Sequence, residues 1–249
     1  MRDQPSEPVA TRAAQLSIDN VSLRKGERQI FSDFSLQLAE PRVGLIGRNG
    51  SGKSLLSRLA AGLIQPDSGA VRVEGVDVAQ DRRAAIRTVG ILFQNPDHQI
   101  IFPTVEEEIA FGLAQQGRSR REARAAATRI LARFGRSEWA ERPIQTLSQG
   151  QRHLVCLLSV AAMEPRLIIL DEPFAGLDAP TTQRLTRYLA GLEQSVLHVT
   201  HDLAALDGYD RIIWLEAGRV VADGMPGDVL PEYRREMAQL GGLDDFTDL

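Results

Sequence analysis

The sequence predicts an α/β fold carrying a helical insertion, and three stretches predict it. The apolar run Val43–Ile46 opens into the glycine-rich Gly47-Arg-Asn-Gly-Ser-Gly52-Lys53-Ser54 and then into an amphipathic segment, SLLSRLAAGLI (54–64). A second apolar run, LIIL at 167–170, ends on two carboxylates, Asp171 and Glu172. Between them, from about residue 98 to 164, β-branched runs are scarce and Ala, Arg and Glu recur at helical spacing. Short continuous apolar runs are the mark of buried strands, and their alternation with helical patterns is the mark of an α/β fold.

In chain order, residues 1–14 read as an N-terminal tail. Apolar residues then recur with a period near two in LSIDNVSL (16–23) and RQIFSDFSLQL (28–38), which predicts antiparallel strands with one buried face. AVRVEGV (70–76) and RTVGILF (87–93) read as further strands. Two capping boxes punctuate the helical stretch, Thr104 with Glu107 and Ser119 with Glu122: each hydroxyl takes an orphan amide while the acid reaches back. Ser148 opens a last helix that ends near Pro165. The α/β pattern resumes with LIIL, a proline-started helix (180–192) and the strand VLHVT (196–200). RIIWLE (211–216) and RVVA (219–222) form a hairpin through Ala217-Gly218. This divides the chain into the tail, a main domain over 15–230 with its insertion at 98–164, and a C-terminal helix with an acidic tail over 231–249.

A length of 249 residues with 43% hydrophobic and 25% charged residues is globular composition and excludes disorder. The net charge of −4 argues against a protein that neutralises nucleic-acid phosphates, so no nucleic-acid partner is expected. Cys156 is the single cysteine, which predicts a reducing compartment, and the first fifteen residues have no apolar core of a signal peptide. Apolar stretches such as LVCLLSVAAM (154–163) fall short of the roughly 18 residues that span a bilayer, so any membrane association is expected to run through a partner. Two lysines stand against 27 arginines, which singles out Lys25 and Lys53.

The 47–54 segment matches the phosphate-binding loop, with the strand before it and the helix after it that the motif needs. Its glycines let successive amides point into one concavity, and the helix N-terminus adds partial positive charge, so a triphosphate sits there with little reorganisation. Lys53 is expected to reach the β/γ-phosphates and Ser54 to ligate Mg²⁺. Asp171, at a strand end, is suited to hold Mg²⁺ through water, and Glu172 beside it to accept a proton from an attacking water. His98, His153 and His198 show no metal-ligand spacing and read as structural, Cys156 as a core residue, and the arginine-rich 118–129 stretch as a solvated helix face.

The order of phosphate loop, Gln94, LSQGQ (147–151), LIILDE, AGLD (175–178) and His201 resembles an ABC ATPase over about residues 16–230. That resemblance implies a P-loop NTPase with a RecA-like core, an antiparallel β subdomain and an inserted α-helical signature subdomain. It implies ATP and Mg²⁺ as cofactors. It carries Gly47, Asn49, Gly50, Ser51, Gly52, Lys53, Ser54 and Leu55 onto the nucleotide, and makes Glu172, His201, Gln94 and Lys53 catalytic and Ser54, Gln94 and Asp171 the metal set. Family members sandwich two ATPs head to tail, so Ser148, Gly150 and Gln151 are expected to meet the partner's γ-phosphate and Asp178 the dimer contact, in a homodimer. Two positions depart from the family pattern. Gln149 stands where a glycine is usual, and the early strand lacks the aromatic that stacks on adenine; Arg24 or Lys25 takes its place, with Arg24 expected to lay its guanidinium on the base.

The stretch QNPDHQIIFPTVEEEIAFG (94–112) resembles the ATPases of energy-coupling factor (ECF) importers, with Gln99 as a second glutamine. Asp97, Glu106, Glu107 and Glu108 are expected to form an acidic lip, and Ile100, Ile101 and Phe102 an apolar floor, for a transmembrane coupling protein docking near Gln94–Phe102. A substrate-binding membrane protein would join through that complex, placing this chain peripherally on the cytoplasmic face of the inner membrane. The short C-terminus, LSQGQ and the missing aromatic most resemble a dedicated biotin importer. Cobalt or nickel import is the next reading, and a non-transport ATPase of iron–sulfur cluster assembly the runner-up from another class.

Overall fold

The computed structural model describes residues 13–174 and 177–241. Strands β1 (Leu16–Lys25) and β2 (Arg28–Leu38) are the hairpin that the alternation predicts. Leu16, Ile18, Val21 and Leu23 pair with Leu38, Leu36, Phe34 and Phe31, and all eight are buried. The period-two pattern slips once on each strand, at Asn20 (φ 48°) and Asp33 (φ 50°), where a bulge turns the following apolar residues back to the same face. Asn and Asp tolerate this left-handed backbone better than other non-glycine residues.

Strand β3 (Arg42–Ile46) runs into α1 (Lys53–Ala60), and β4 (Ser68–Val73) with the short β5 (Val76–Asp77) completes a first sheet of order β2-β1-β4-β5. Helix α2 (Arg82–Thr88), capped by Asp81, precedes β6 (Val89–Leu92). Arg87 and Thr88, expected at the start of that strand, close the helix instead. It is seven residues long and has no apolar stripe wide enough to read.

Helices α3 (Val105–Gln115), α4 (Arg120–Arg133) and α5 (Gln149–Ala162) follow, with an apolar cluster of their own around Ile109, Leu131, Trp139 and Leu158. The Ser119–Glu122 box forms in full, and the acid's pKa is lowered by the Ser119 hydrogen bonds. Thr104 takes the Glu107 amide, but Glu107 answers the Thr104 hydroxyl, not its amide. Ser148 and Gln151 make a further full box at the head of α5.

Strand β7 (Leu167–Asp171), helix α6 (Ala179–Ala190), strand β8 (Ser195–Val199), the hairpin β9 (Arg211–Glu216) and β10 (Arg219–Gly224), and α7 (Pro226–Gly241) complete the chain. Ala217 (φ 45°) and Gly218 (φ 73°) both take positive φ, the backbone that a two-residue hairpin turn demands. The second sheet has the order β10-β9-β3-β8-β7-β6 and is parallel except for that hairpin. Strand β3 lies between β9 and β8, with β7 beyond β8, so the loops after β3, β7 and β8 meet at one edge, where open α/β sheets bind their ligands. Ala14, placed in the tail by sequence, is buried and donates its N–H to Ser195 Oγ at 2.8 Å. The closing LDDFTDL lies outside the described residues.

On β8, His198 is buried with Nδ1 2.8 Å from the Tyr209 hydroxyl, and burial pushes its pKa down to about 4. An unfolded histidine titrates near 6.5. Between those values the unfolded chain binds a proton that the folded chain does not, so this residue's contribution is full above 6.5 and declines as the pH falls toward 4. Moving from pH 7 to pH 5 is expected to cost about 2 kcal/mol through this residue. Urea unfolding of wild type and His198→Phe at the two pH values checks it: the variant should lose less stability on acidification.

Candidate active site

The phosphate loop is built by three glycines at positive φ, Gly47 (149°), Gly50 (79°) and Gly52 (111°), the last capping α1. At Gly47 a Cβ would lie 2.0 Å from the Leu215 carbonyl oxygen, so only glycine lets the loop pass this close to β9. Lys53 folds back over the loop and donates from Nζ to the carbonyls of Gly47 (2.6 Å) and Arg48 (2.9 Å). Burial lowers its pKa, while Glu172, Asp171 and Glu216 pull it up. Arg48, next in the loop, pairs with Glu216 at 3.0 Å.

Asp171 ends β7 with its carboxylate buried, and Ser54 Oγ donates to its Oδ1 at 3.3 Å. Burial raises the Asp171 pKa, Glu172 adds to the rise, and the Ser54 hydrogen bond opposes it. Glu172 stands at φ 51°, held there by donating its N–H to the Val199 carbonyl at 2.9 Å. A bulky residue in this region costs on the order of 1–3 kcal/mol and persists where the surroundings over-determine it, as at catalytic positions. Its Oε2 meets His201 Nδ1 at 2.9 Å.

One cleft of about 740 Å³ gathers most of the predicted residues: Gly47, Asn49, Gly50, Gly52, Lys53, Ser54 and Leu55 with Gln94, Asp171, Glu172 and His201. Ser51 is buried within the loop itself. Arg24 is not in the cleft lining, whereas Lys25 and Arg28 are. The register explains the difference: Lys25 pairs with Arg28 and Arg24 with Gln29, and successive residues of a strand point to opposite faces. Ile30, Tyr233 and Met237 also line the cleft, the last two from α7. Nothing in the sequence pattern tied that helix to the phosphate loop, because the contact is made only when α7 packs on β9 through Trp214 and Tyr233, their rings 5.2 Å apart.

Ser148, Gly150, Gln151 and Asp178 stand outside this cleft. They head two neighbouring helices: a Cβ on Gly150 would meet Thr181 at 3.0 Å, and Thr181 donates its N–H to Asp178 at 2.8 Å. Gln149 is the first residue of α5 and has no positive φ, so the position asks for no glycine freedom. Ala175 and Gly176, just before Asp178, lie outside the described residues.

Of the four acids of the expected lip, Glu108 alone is turned away from solvent. Glu108 is buried and accepts the N–H groups of Ile101 and Phe102, both at 2.9 Å. Glu106 and Glu107 pair with Arg124, and Asp97 with Arg152. Burying a carboxylate requires compensating donors, which the Ile101 and Phe102 amides supply to Glu108, whereas Glu106 and Glu107 stay partly exposed and Asp97 exposed. Of the expected apolar floor, Ile101 is 68% exposed, while Ile100 packs against the core and Phe102 against Phe111. Gln99 Oε1 accepts the Phe93 N–H at 3.2 Å.

The ABC transporter family model matches residues 31–175. This chain belongs to that family. It is an ABC ATPase, and one cleft collects its phosphate loop, Asp171 and Glu172. It is 54% identical to the biotin transport ATP-binding protein BioM of Rhodobacter capsulatus, over 90% of this chain and 96% of that one. With BioM of Rhizobium etli the identity is 37%, over 88% and 97%. Among solved structures it is similar to cbiO1 of Clostridium perfringens, part of the ABC transporter complex cbiONQ, with a TM-score of 0.74, 26% identity, and 88% of this chain and 92% of that one covered. Among the described residues no helix is long and apolar enough to cross a membrane.

Proposed function

We propose that this ABC ATPase energises an ECF-type importer of biotin. The single observation that carries the solute is the 54% identity to BioM over nearly the whole of both chains. The cleft supports the chemistry. Ser54 and Asp171 offer hard oxygen donors 3.3 Å apart, the donor type Mg²⁺ prefers, and these two with Gln94 would hold the ion. When bound, Mg²⁺ neutralises charge building on the β/γ-phosphate oxygens.

The chain's own residues do the rest. Lys53 exchanges its two loop carbonyls for phosphate oxygens, so the loop arrives with a cation already in place. Glu172 takes the proton of the attacking water, and His201, hydrogen bonded to it, orients the carboxylate and faces the γ-phosphate. Lys25 and Arg28, rather than Arg24, border the base. A second copy docks head to tail and brings Ser148, Gly150 and Gln151 to the phosphate, with Asp178 at the contact. Closure of the two copies passes through Gln94–Phe102 to a transmembrane coupling protein, which carries a small substrate-binding membrane protein. The chain thus sits on the cytoplasmic face of the membrane without crossing it.

The test is to express a tagged copy in the native host, solubilise the membranes in mild detergent and identify what co-purifies. A hydrophobic coupling protein and a small membrane protein that binds biotin are expected, and vesicles holding that complex should take up biotin only with ATP inside the compartment facing this chain. Cobalt or nickel binding by the small protein would replace the solute. Recovery only from the soluble fraction with an assembly scaffold would remove transport.

A further inference from the structure

Helix α5 serves two places at once. Its head carries Ser148, Gly150 and Gln151, while its flank holds the Gln94 segment. His153, one and a half turns in and fully buried, lies with Nε2 3.1 Å from the Gln94 carbonyl. A carbonyl only accepts, so Nε2–H is the donor. Burial pushes the ring's pKa down, although the carbonyls of Gln94 and Gln149 pull the other way. Arg152 Nε meets Asp97 at 3.2 Å, and Cys156 Sγ lies 4.0 Å from the Pro96 carbonyl, so three consecutive contacts run down one side of α5. Of these His153 is the buried polar one, and it is fixed to Gln94, which lines the cleft.

We infer that His153 is a positioning residue: it ties Gln94, which serves the chain's own phosphate loop, to the helix whose head serves the partner's ATP. The inference rests on the head-to-tail reading above for its second half only; the tie itself is within one chain. When α5 is drawn toward a γ-phosphate, Gln94 moves with it, and the two sites of the dimer advance together. Without the Nε2–H donor the Gln94 carbonyl loses its anchor, and the side chain is no longer delivered to the cleft in step with closure.

His153→Met, which fills the space with a flexible apolar chain and no donor, and His153→Gln, whose amide reaches the Nε2 position, test this in the full chain and in the complex recovered from membranes. Hydrolysis by His153→Met should lose at least tenfold in kcat with KM for ATP within twofold of wild type, and His153→Gln should recover to within threefold. Should His153→Met fail a thermal-melt check for folding, His153→Phe replaces it. Unchanged kcat in the donor-less variant overturns the inference, as does a KM that rises with the loss, or a His153→Gln that fails to rescue. Biotin uptake by the wild-type complex is measured beside these: its absence would overturn the transport reading, while the kcat and KM comparison in the isolated chain decides the tie.

Discussion

Glu172→Gln should bind ATP as wild type does and hydrolyse it two to four orders of magnitude more slowly, the range that removing a positioned general base commands. The amide has the shape of the carboxylate and keeps a contact with His201, now 2.9 Å from Oε2, but it cannot take a proton from water. Nothing that holds the phosphates is altered, because the loop amides, Lys53 and Ser54 are untouched. ATP should therefore accumulate in the closed, two-chain state, visible as an ATP-dependent shift from monomer to dimer on size exclusion. Normal turnover by the variant would sink the assignment of the base and point to His201 or a water-only mechanism.

Lys53→Met has the opposite signature. Its ammonium is buried at the loop, lowered in pKa chiefly by that burial and held by two carbonyls, so a neutral side chain of similar length removes charge with little change in packing. A hydrogen bond to a charged group is worth about 1.5–3 kcal/mol, so ATP affinity should fall roughly ten- to a hundredfold. Combined with Glu172→Gln, it should abolish the ATP-dependent dimer at nucleotide concentrations that saturate the single variant. Titration of a fluorescent ATP analogue separates the two: tight binding by Lys53→Met would mean that the loop amides and helix dipole hold the triphosphate unaided.

How much of this was legible in the residues varies by element. Glycine spacing, a strand before it and a helix after it placed the phosphate loop, because a backbone that must turn its amides inward needs glycine and little else. The alternation in β1 and β2 was legible for the same kind of reason, and even the slips at Asn20 and Asp33 fall on residues that tolerate left-handed backbone. Less legible was α2, too short to show a stripe, and the acids at 106–108, whose patterning suits a solvated lip but whose partners, the amides of Ile101 and Phe102 and the guanidinium of Arg124, come from other segments. The difference between Arg24 and Lys25 at the cleft turns on a strand register that composition does not carry.

By itself, then, the sequence determined the α/β class, the phosphate loop, the carboxylate pair after LIIL, and the caps at Ser119 and Ser148, all properties written in residues a few positions apart. Only the tertiary structure decided that β7 pairs with β8, bringing His201 to Glu172, that α7 closes the cleft with Tyr233, and that His153 reaches the Gln94 carbonyl across 59 residues of chain. Local patterns record hydrogen bonds and faces that a segment can satisfy alone. The pairing of distant segments depends on which apolar surfaces cover one another, and that is settled only when the whole core packs.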